Sequence, residues 1–308
     1  MLQYLLHRLL LIIPVLFGVM ILTFFLMYVV PGDPVLTMLG QHATDENIAR
    51  LRAQFHLDEP WYYQLYNYII RTLKGDLGTS YLTHIPVRDA LIEKLANTAR
   101  LALTAIIVSI VMGVTIGIIS AVFQNTWIDY AAMTFALLFI STPVFWFGMV
   151  LVFFFAMKLG WFPISGMGDG SIKYLILPAI TLGSRFAAFL ARYTRSVMLE
   201  VIREDYIRTA RAKGVKEKFV ILKHALKNVL IPVITVIGMN LASLLNGSVL
   251  TESIFAWPGF GRYVVSAIQK RDFQVIAGSV LVGAVIFVFF NLIVDLLYVA
   301  LDPRIQFD

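Results

Sequence analysis

The chain has 308 residues, 59% of them hydrophobic and only 14% charged, with a formal net charge of +6 and no cysteine. Soluble domains carry about a quarter charged residues, so an ordinary water-soluble globule is excluded, and the lack of cysteine excludes both a disulfide framework and a thiolate metal site. A mean hydropathy of +0.80 points instead to a chain whose solvent is the bilayer.

A hydrocarbon core about 30 Å thick takes roughly 20 apolar helical residues. Uncharged runs of that length occur at residues 9–30, 101–123, 130–157, 229–250 and 273–294. A sixth, at 174–190, is apolar except for Arg185, whose cost of about 2.5–3.5 kcal/mol at a helix centre is offset by roughly 0.5 kcal/mol from each Leu, Ile or Phe. The eight large apolar residues of that run balance it, and an all-α integral membrane protein of six spans is predicted.

The first run exceeds the 7–15 residues or so of a secretory signal and leads only into "PGDPV", so it reads as a retained anchor. After it, "TDENIARLRAQFHL" places Ile48, Leu51 and Phe55 at helical spacing behind a Thr44 or Asp45 cap, and "EPWYYQLYNYIIRTL" starts a second helix near Pro60. Trp61, Tyr62, Tyr63, Tyr66 and Tyr68 suit a helix at headgroup level. In the third run, Pro143 should kink or break a stretch too long for the bilayer. "GWFPISGMGDGS" at 160–171 is a turn-rich loop.

Six spans leave both termini on one face. The connection 191–228 holds ten Lys and Arg, against five in the two short loops opposite, so this connection and both termini are expected in the cytoplasm and the long first loop outside. Residues 204–213 read as a short helix, acidic in its first turn and basic in its last. Gly214 stops it, and a second helix follows with Val215, Phe219, Leu222 and Leu226 on one face. Nucleic-acid binding does not fit, because Glu204, Asp205 and Glu217 interrupt the charge and no nucleic-acid module is present. Attraction to anionic lipid explains the charge but not the pattern. Docking of another protein explains both, since Ala210, Ala212 and Gly214 at the bend would admit a close partner.

At these residues, "RTARAKGVKEKFVILKHALKNVLIP" resembles the cytoplasmic signature loop of binding-protein-dependent ABC importer permeases, of the dipeptide, oligopeptide and nickel branch. Arg208 stands where the wider family has Glu, and the family's Ile-x-Leu-Pro ending is absent at its usual offset. "HRLLLIIPVLFGVMILTFF", "HLDEPWYYQLYNYI", "KGDLGTSY", "ESIFAWPGFGRYVVSAIQKRDFQVI" and "NLIVDLLYVALDPRI" are similar to the same branch, in order, over nearly the whole chain.

The resemblance implies a type I importer permease fold: an anchor helix at 1–30, an extracytoplasmic loop at 31–98, a permease core at 99–299 with its coupling loop at about 200–228, and a cytoplasmic tail at 300–308. It implies a prokaryotic inner (cytoplasmic) membrane protein that takes dipeptides or short oligopeptides across. The expected partners are a second homologous permease, two cytoplasmic ABC ATPase subunits, an extracytoplasmic peptide-binding protein and membrane lipid, with no nucleic acid. Glu204, Tyr206, Arg208, Thr209, Ala210, Ala212, Lys213 and Gly214 would couple to the ATPase, and Trp257, Pro258, Gly259 and Gly261 would form an external gate or binding-protein contact, or a plain re-entrant turn.

Arg185 has two readings. It faces the pathway and attracts a peptide carboxylate, or it snorkels toward the headgroups near Arg192 or pairs with Asp295. Asn240, Ser243 and Asn246 share a face of the fifth span, suited to a polar pathway or to bonding a partner helix. No Gly-Lys pair occurs, so no P-loop exists; ATP and magnesium are expected in the partner ATPases, with no cofactor on this chain. His7, His42, His56, His84 and His224 lack ligand spacing, so neither a metal site nor an enzyme is expected. A nickel permease of the same branch and an ion-driven secondary transporter are the alternatives.

Overall fold

The computed structural model describes the backbone of residues 2–29, 34–39, 43–54, 57–246 and 248–301; among the side chains outside the description are those of 2–9, 239–246 and 293–301. The described chain is helical: α1 Leu2–Val29, α2 Pro34–Leu39, α3 Asp45–Gln54, α4 Trp61–Leu73, α5 Val87–Val122, α6 Trp127–Ser141, α7 Val144–Leu151, α8 Ile172–Ile202, α9 Asp205–Ala212, α10 Glu217–Phe219, α11 Leu226–Asn246, α12 Val249–Ile254, α13 Phe260–Lys270 and α14 Phe273–Leu301. π-helical turns at Val152–Lys158 and Val220–Ala225 extend α7 and lead into α11. Among the described residues, five helices are long and apolar enough to cross a membrane, and the bent pair Trp127–Ser141 and Val144–Lys158 makes up to a sixth span.

The chain divides into two compact units, the first comprising 1–96, 263–293 and 304–308, the second 97–262 and 294–303. The division falls inside α5, which runs unbroken past the expected boundary at 98. In the first unit α4 lies on α1. Phe24 meets Tyr68 at 6.0 Å between ring centroids and Phe25 meets Trp61 at 5.8 Å, while Tyr62 and Tyr66 stay exposed. The aromatic helix thus touches α1 through Trp61 and Tyr68, while no residue along it is fully buried. Asp272 caps α14 and receives the Ser80 hydroxyl at 2.5 Å, tying the "KGDLGTSY" segment to the last span. The end of the tail at 302–308 lies outside the described residues.

In the second unit α8 is the central helix, with two thirds of its span window buried. Small residues let α5 reach it. A Cβ at Gly113 or Gly117 would sit 2.7 or 2.6 Å from the carbonyl oxygen of Ala187 or Ala191, the close-contact role small residues take between membrane helices. Leu101, Ala105, Ala179, Leu182, Phe186 and Trp257 form the core at one end, and Leu190, Met198, Ile207, Val220, Ala225 and Val229 the core toward the other.

Of the two alternatives at Pro143, a kink or a break, the structure has the break: the axes of the helices before and after it diverge by 109°. Thr142, preceding the proline, is extended at ψ 131° and ends α6, because the ring excludes the α conformation from the residue before it. In the helix leading to Pro232, the buried positions are Val220, Ala225, Val229 and Val233, while Phe219 and Leu222 are exposed. The π turn between 220 and 225 adds a residue to the repeat and rotates the face expected from α spacing away from the core.

Candidate functional site

The cationic loop forms one end of the second unit. Glu204 is the N-cap of α9, its carbonyl accepting the amides of Ile207 and Arg208 at 3.0 and 3.2 Å. Ile207 and Ala210 turn inward into the core that also contains Met198 and Val220. Ala210 is therefore part of the loop's foundation and not of a partner-facing surface, which corrects that expectation. Tyr206, Arg208, Thr209, Ala212, Lys213 and Gly214 are exposed.

The loop is held in shape by specific bonds. Arg211 makes a bidentate pair with Glu217, at 2.6 Å through Nη2 and 3.1 Å through Nε, and this carboxylate raises the guanidinium's already high pKa. Asn228 donates to the Tyr206 hydroxyl at 2.6 Å. Gly214 adopts φ +76°, and nothing lies within 4 Å of the place its Cβ would take. The glycine thus serves the turn, and the space beside it is open.

Beneath the loop lies a polar knot that sequence reasoning missed. Asp129, at the start of α6 and 2% exposed, receives Arg195 of α8 through Nε and Nη2, both at 2.7 Å. It also accepts the Ser120 hydroxyl and the Asn125 amide. All the polar capacity of the carboxylate is directed to fastening the α5–α6 connection onto α8. The only sequence signal was an acidic residue one position outside an apolar run.

The opposite end of the unit is organised by a second residue that was missed, Glu252. Its carboxyl is fully buried. It accepts the Thr98 and Ser248 hydroxyls, each at 2.7 Å, and the Arg262 amide at 2.9 Å. Thr98 in turn accepts the Phe260 amide at 2.8 Å, so two free amides at the start of α13 are satisfied, directly and through a hydroxyl.

The expected gate residues surround this carboxyl. Trp257 is 1% exposed, donates Nε1–H to the Asn97 carbonyl at 3.0 Å, and Asn97 returns a bond to Pro258 O at 3.0 Å. The tryptophan belongs to the core. A Cβ at Gly259 would collide with the Glu252 carboxyl, and one at Gly261 would lie 2.5 Å from Val249. These glycines mark close approach to α12.

Arg185 is exposed, as are Phe189 and Arg192 on the same stripe of α8, while Ser184, Phe186, Ala187 and Ala188 are buried. Its alternative partner Asp295 has a side chain outside the described residues, as do Asn240, Ser243 and Asn246, whose backbones lie on α11. Among the described residues no group of three or more His, Asp or Glu could hold a metal ion.

Broken and long apolar helices packed on a central α8, with an exposed basic loop at one end, describe a polytopic membrane protein with a candidate docking element. The chain matches the model of the binding-protein-dependent transport system inner membrane component over residues 113–307, and that of the N-terminal part of such membrane components over residues 1–102. It therefore belongs to the family of inner membrane components of binding-protein-dependent transport systems. It is 46% identical to the dipeptide transport system permease protein DppB of Alkalihalophilus pseudofirmus, and 42% identical to the glutathione transport system permease protein GsiC of Escherichia coli K12, with 100% of both chains covered in each comparison. Among solved structures, the MetNI methionine ABC transporter in an inward-facing conformation matches with a TM-score of 0.54 at 20% identity, over 69% of this chain and 96% of that one. An amino acid ABC transporter matches with a TM-score of 0.52 at 16% identity, over 68% and 92%. These two likenesses concern the fold.

Proposed function

We propose that this chain is one of two membrane subunits of an ATP-driven importer of short peptides, with both termini and the α9 loop in the cytoplasm. Two ATPase subunits bind and hydrolyse ATP with magnesium, and an extracytoplasmic protein delivers the peptide. The reading is carried by the construction of α9: Ile207 and Ala210 root it in the core while Arg208, Thr209, Lys213 and Gly214 stay bare. A helix so mounted transmits a push from a docked protein into α8 and α11 instead of bending.

Peptides are favoured as cargo by the relatives, whose names specify dipeptide and glutathione, both short peptides with free carboxylates. Arg185, Phe189 and Arg192 form the bare stripe of the most buried span. Guanidinium groups are costly against lipid, so this stripe lines the water-filled path and attracts the peptide carboxylate. Asn240, Ser243 and Asn246, three apart in sequence on α11, are assigned to the same path by that spacing. Trp257, Pro258, Gly259 and Gly261, stiffened by Glu252, form the outer gate.

The test is uptake of a radiolabelled dipeptide into proteoliposomes holding the full transporter. Uptake that requires ATP and the ATPase subunits supports the reading. Uptake of nickel but not peptide, or peptide uptake by this chain alone down an ion gradient, refutes it.

A further inference from the structure

The outer end of the second unit carries a groove of about 370 Å³ lined by Arg100, Leu103, Thr104, Met167, Ile172 and Trp257 among others. It is an open groove and not an enclosed cavity, with mostly apolar walls and a single charge at its side. Arg100 is exposed and has no ion-pair partner among the described residues. We propose that this groove is an entry subsite in which Arg100 receives the C-terminal carboxylate of an incoming peptide while Leu103, Ile172 and Leu175 receive its side chain. The inference rests on the peptide-import reading and adds to it a first binding station ahead of the Arg185 stripe.

Three observations support a built site. First, its floor is rigid: Trp257 is locked through Nε1 to the Asn97 carbonyl and has almost no exposure of its own. Second, Arg100 leaves the same turn of α5 that Asn97 and Thr98 fasten to the outer cluster, by bonds to Pro258, Phe260 and Glu252. The backbone of the arginine is thus fixed by its neighbours Asn97 and Thr98 while its exposed guanidinium extends from that turn, and its planar fork matches a carboxylate. Third, Leu103 and Ile172 are 58% and 68% exposed beside it, an apolar shelf next to a lone positive charge. That pairing complements the terminus of a peptide, which offers an apolar side chain and an anionic carboxylate from adjacent atoms. The other polar side chain of the groove, Thr104 one turn further along α5, donates its hydroxyl proton to the Arg100 carbonyl at 2.8 Å, so the charge is the donor left for a carboxylate.

Saturation-transfer NMR on the assembled transporter in zwitterionic nanodiscs, with alanyl-phenylalanine as probe and its C-terminal amide as control, reads this contact. The expected result is that Arg100→Gln raises the half-saturating concentration of the free acid about tenfold, the loss of one charge-assisted contact, that Arg100→Lys restores part of it, and that the amide is unaffected. An unchanged free-acid titration in Arg100→Gln, or equal weakening of acid and amide, overturns the proposal. So does loss of the wild-type signal when phosphatidylglycerol is added to the nanodiscs, which would assign the groove to a lipid phosphate. If the wild-type transporter shows ATP-driven dipeptide uptake while Arg100→Gln changes nothing, the groove alone is refuted; if wild-type uptake is absent, the peptide-import reading itself fails.

Discussion

Asp129 and Arg195, 66 positions apart, meet through two parallel N–H···O bonds of 2.7 Å at the end of the second unit that carries α9. Removing one partner of a fully buried pair costs about 3–5 kcal/mol and replacing both by apolar groups is often neutral. With Asp129 buried and Arg195 a quarter exposed, the loss here falls below that range. Asp129→Ala should therefore lower the thermal stability of the detergent-purified chain, and Asp129→Leu with Arg195→Met should recover most of it. Melting curves of the three proteins check this. Equal melting of Asp129→Ala and wild type would show that the pair is not a fastening.

The two faces of α9 separate docking from folding. Ala212 is exposed and Ala210 is buried. Ala212→Trp should block copurification of the ATPase while leaving stability within about 0.5 kcal/mol, as surface substitutions do. Ala210→Trp overpacks the core and should cost about 1–3 kcal/mol before any question of docking arises. Pull-down yield and melting, measured on the same samples, distinguish the two.

At the end of the second unit opposite α9, Glu252→Ala leaves the Thr98 and Ser248 hydroxyls and the Arg262 amide without their acceptor. Each buried polar group so abandoned costs about 1–3 kcal/mol. Trp257→Phe, which keeps the ring and loses only the bond to Asn97, should cost about 1 kcal/mol. Hydrogen exchange at the start of α13 should rise steeply in the first variant and slightly in the second.

Arg185→Ala should leave stability unchanged, because the side chain is exposed, and should reduce dipeptide uptake about tenfold, the effect of losing one charge-assisted contact. Uptake kinetics in proteoliposomes give the comparison. A variant that melts early without a transport defect would favour the structural role.

Hydropathy and proline placement made the spans legible, since bilayer thickness dictates run length and Pro143 dictates a break. The depth of that break was not legible, because a 109° turn depends on what α7 packs against, and its Gly148 backs onto Thr181 of α8. Helical periodicity misplaced the buried face after residue 219, since a π turn leaves no mark in an α-spaced pattern. Pro258 and Gly259 flagged a turn here, but the bend lies at 255–259, Gly261 already belongs to α13, and the cause was not legible. Glu252, the group the glycines make room for, stood in the sequence as one acidic residue beside an apolar run. Buried carboxyls such as Glu252 and Asp129 become visible only when distant hydroxyls and amides are brought to them.

The central claim is that α9 faces the cytoplasm and seats an ATPase subunit. Because the chain has no cysteine, Lys213→Cys provides a single thiol at the exposed end of that helix. The account predicts that a membrane-impermeant maleimide labels it in inside-out vesicles stripped of ATPase and not in right-side-out ones, and that adding the ATPase subunits abolishes labelling. Labelling from the outside, or labelling indifferent to the ATPase, would contradict it.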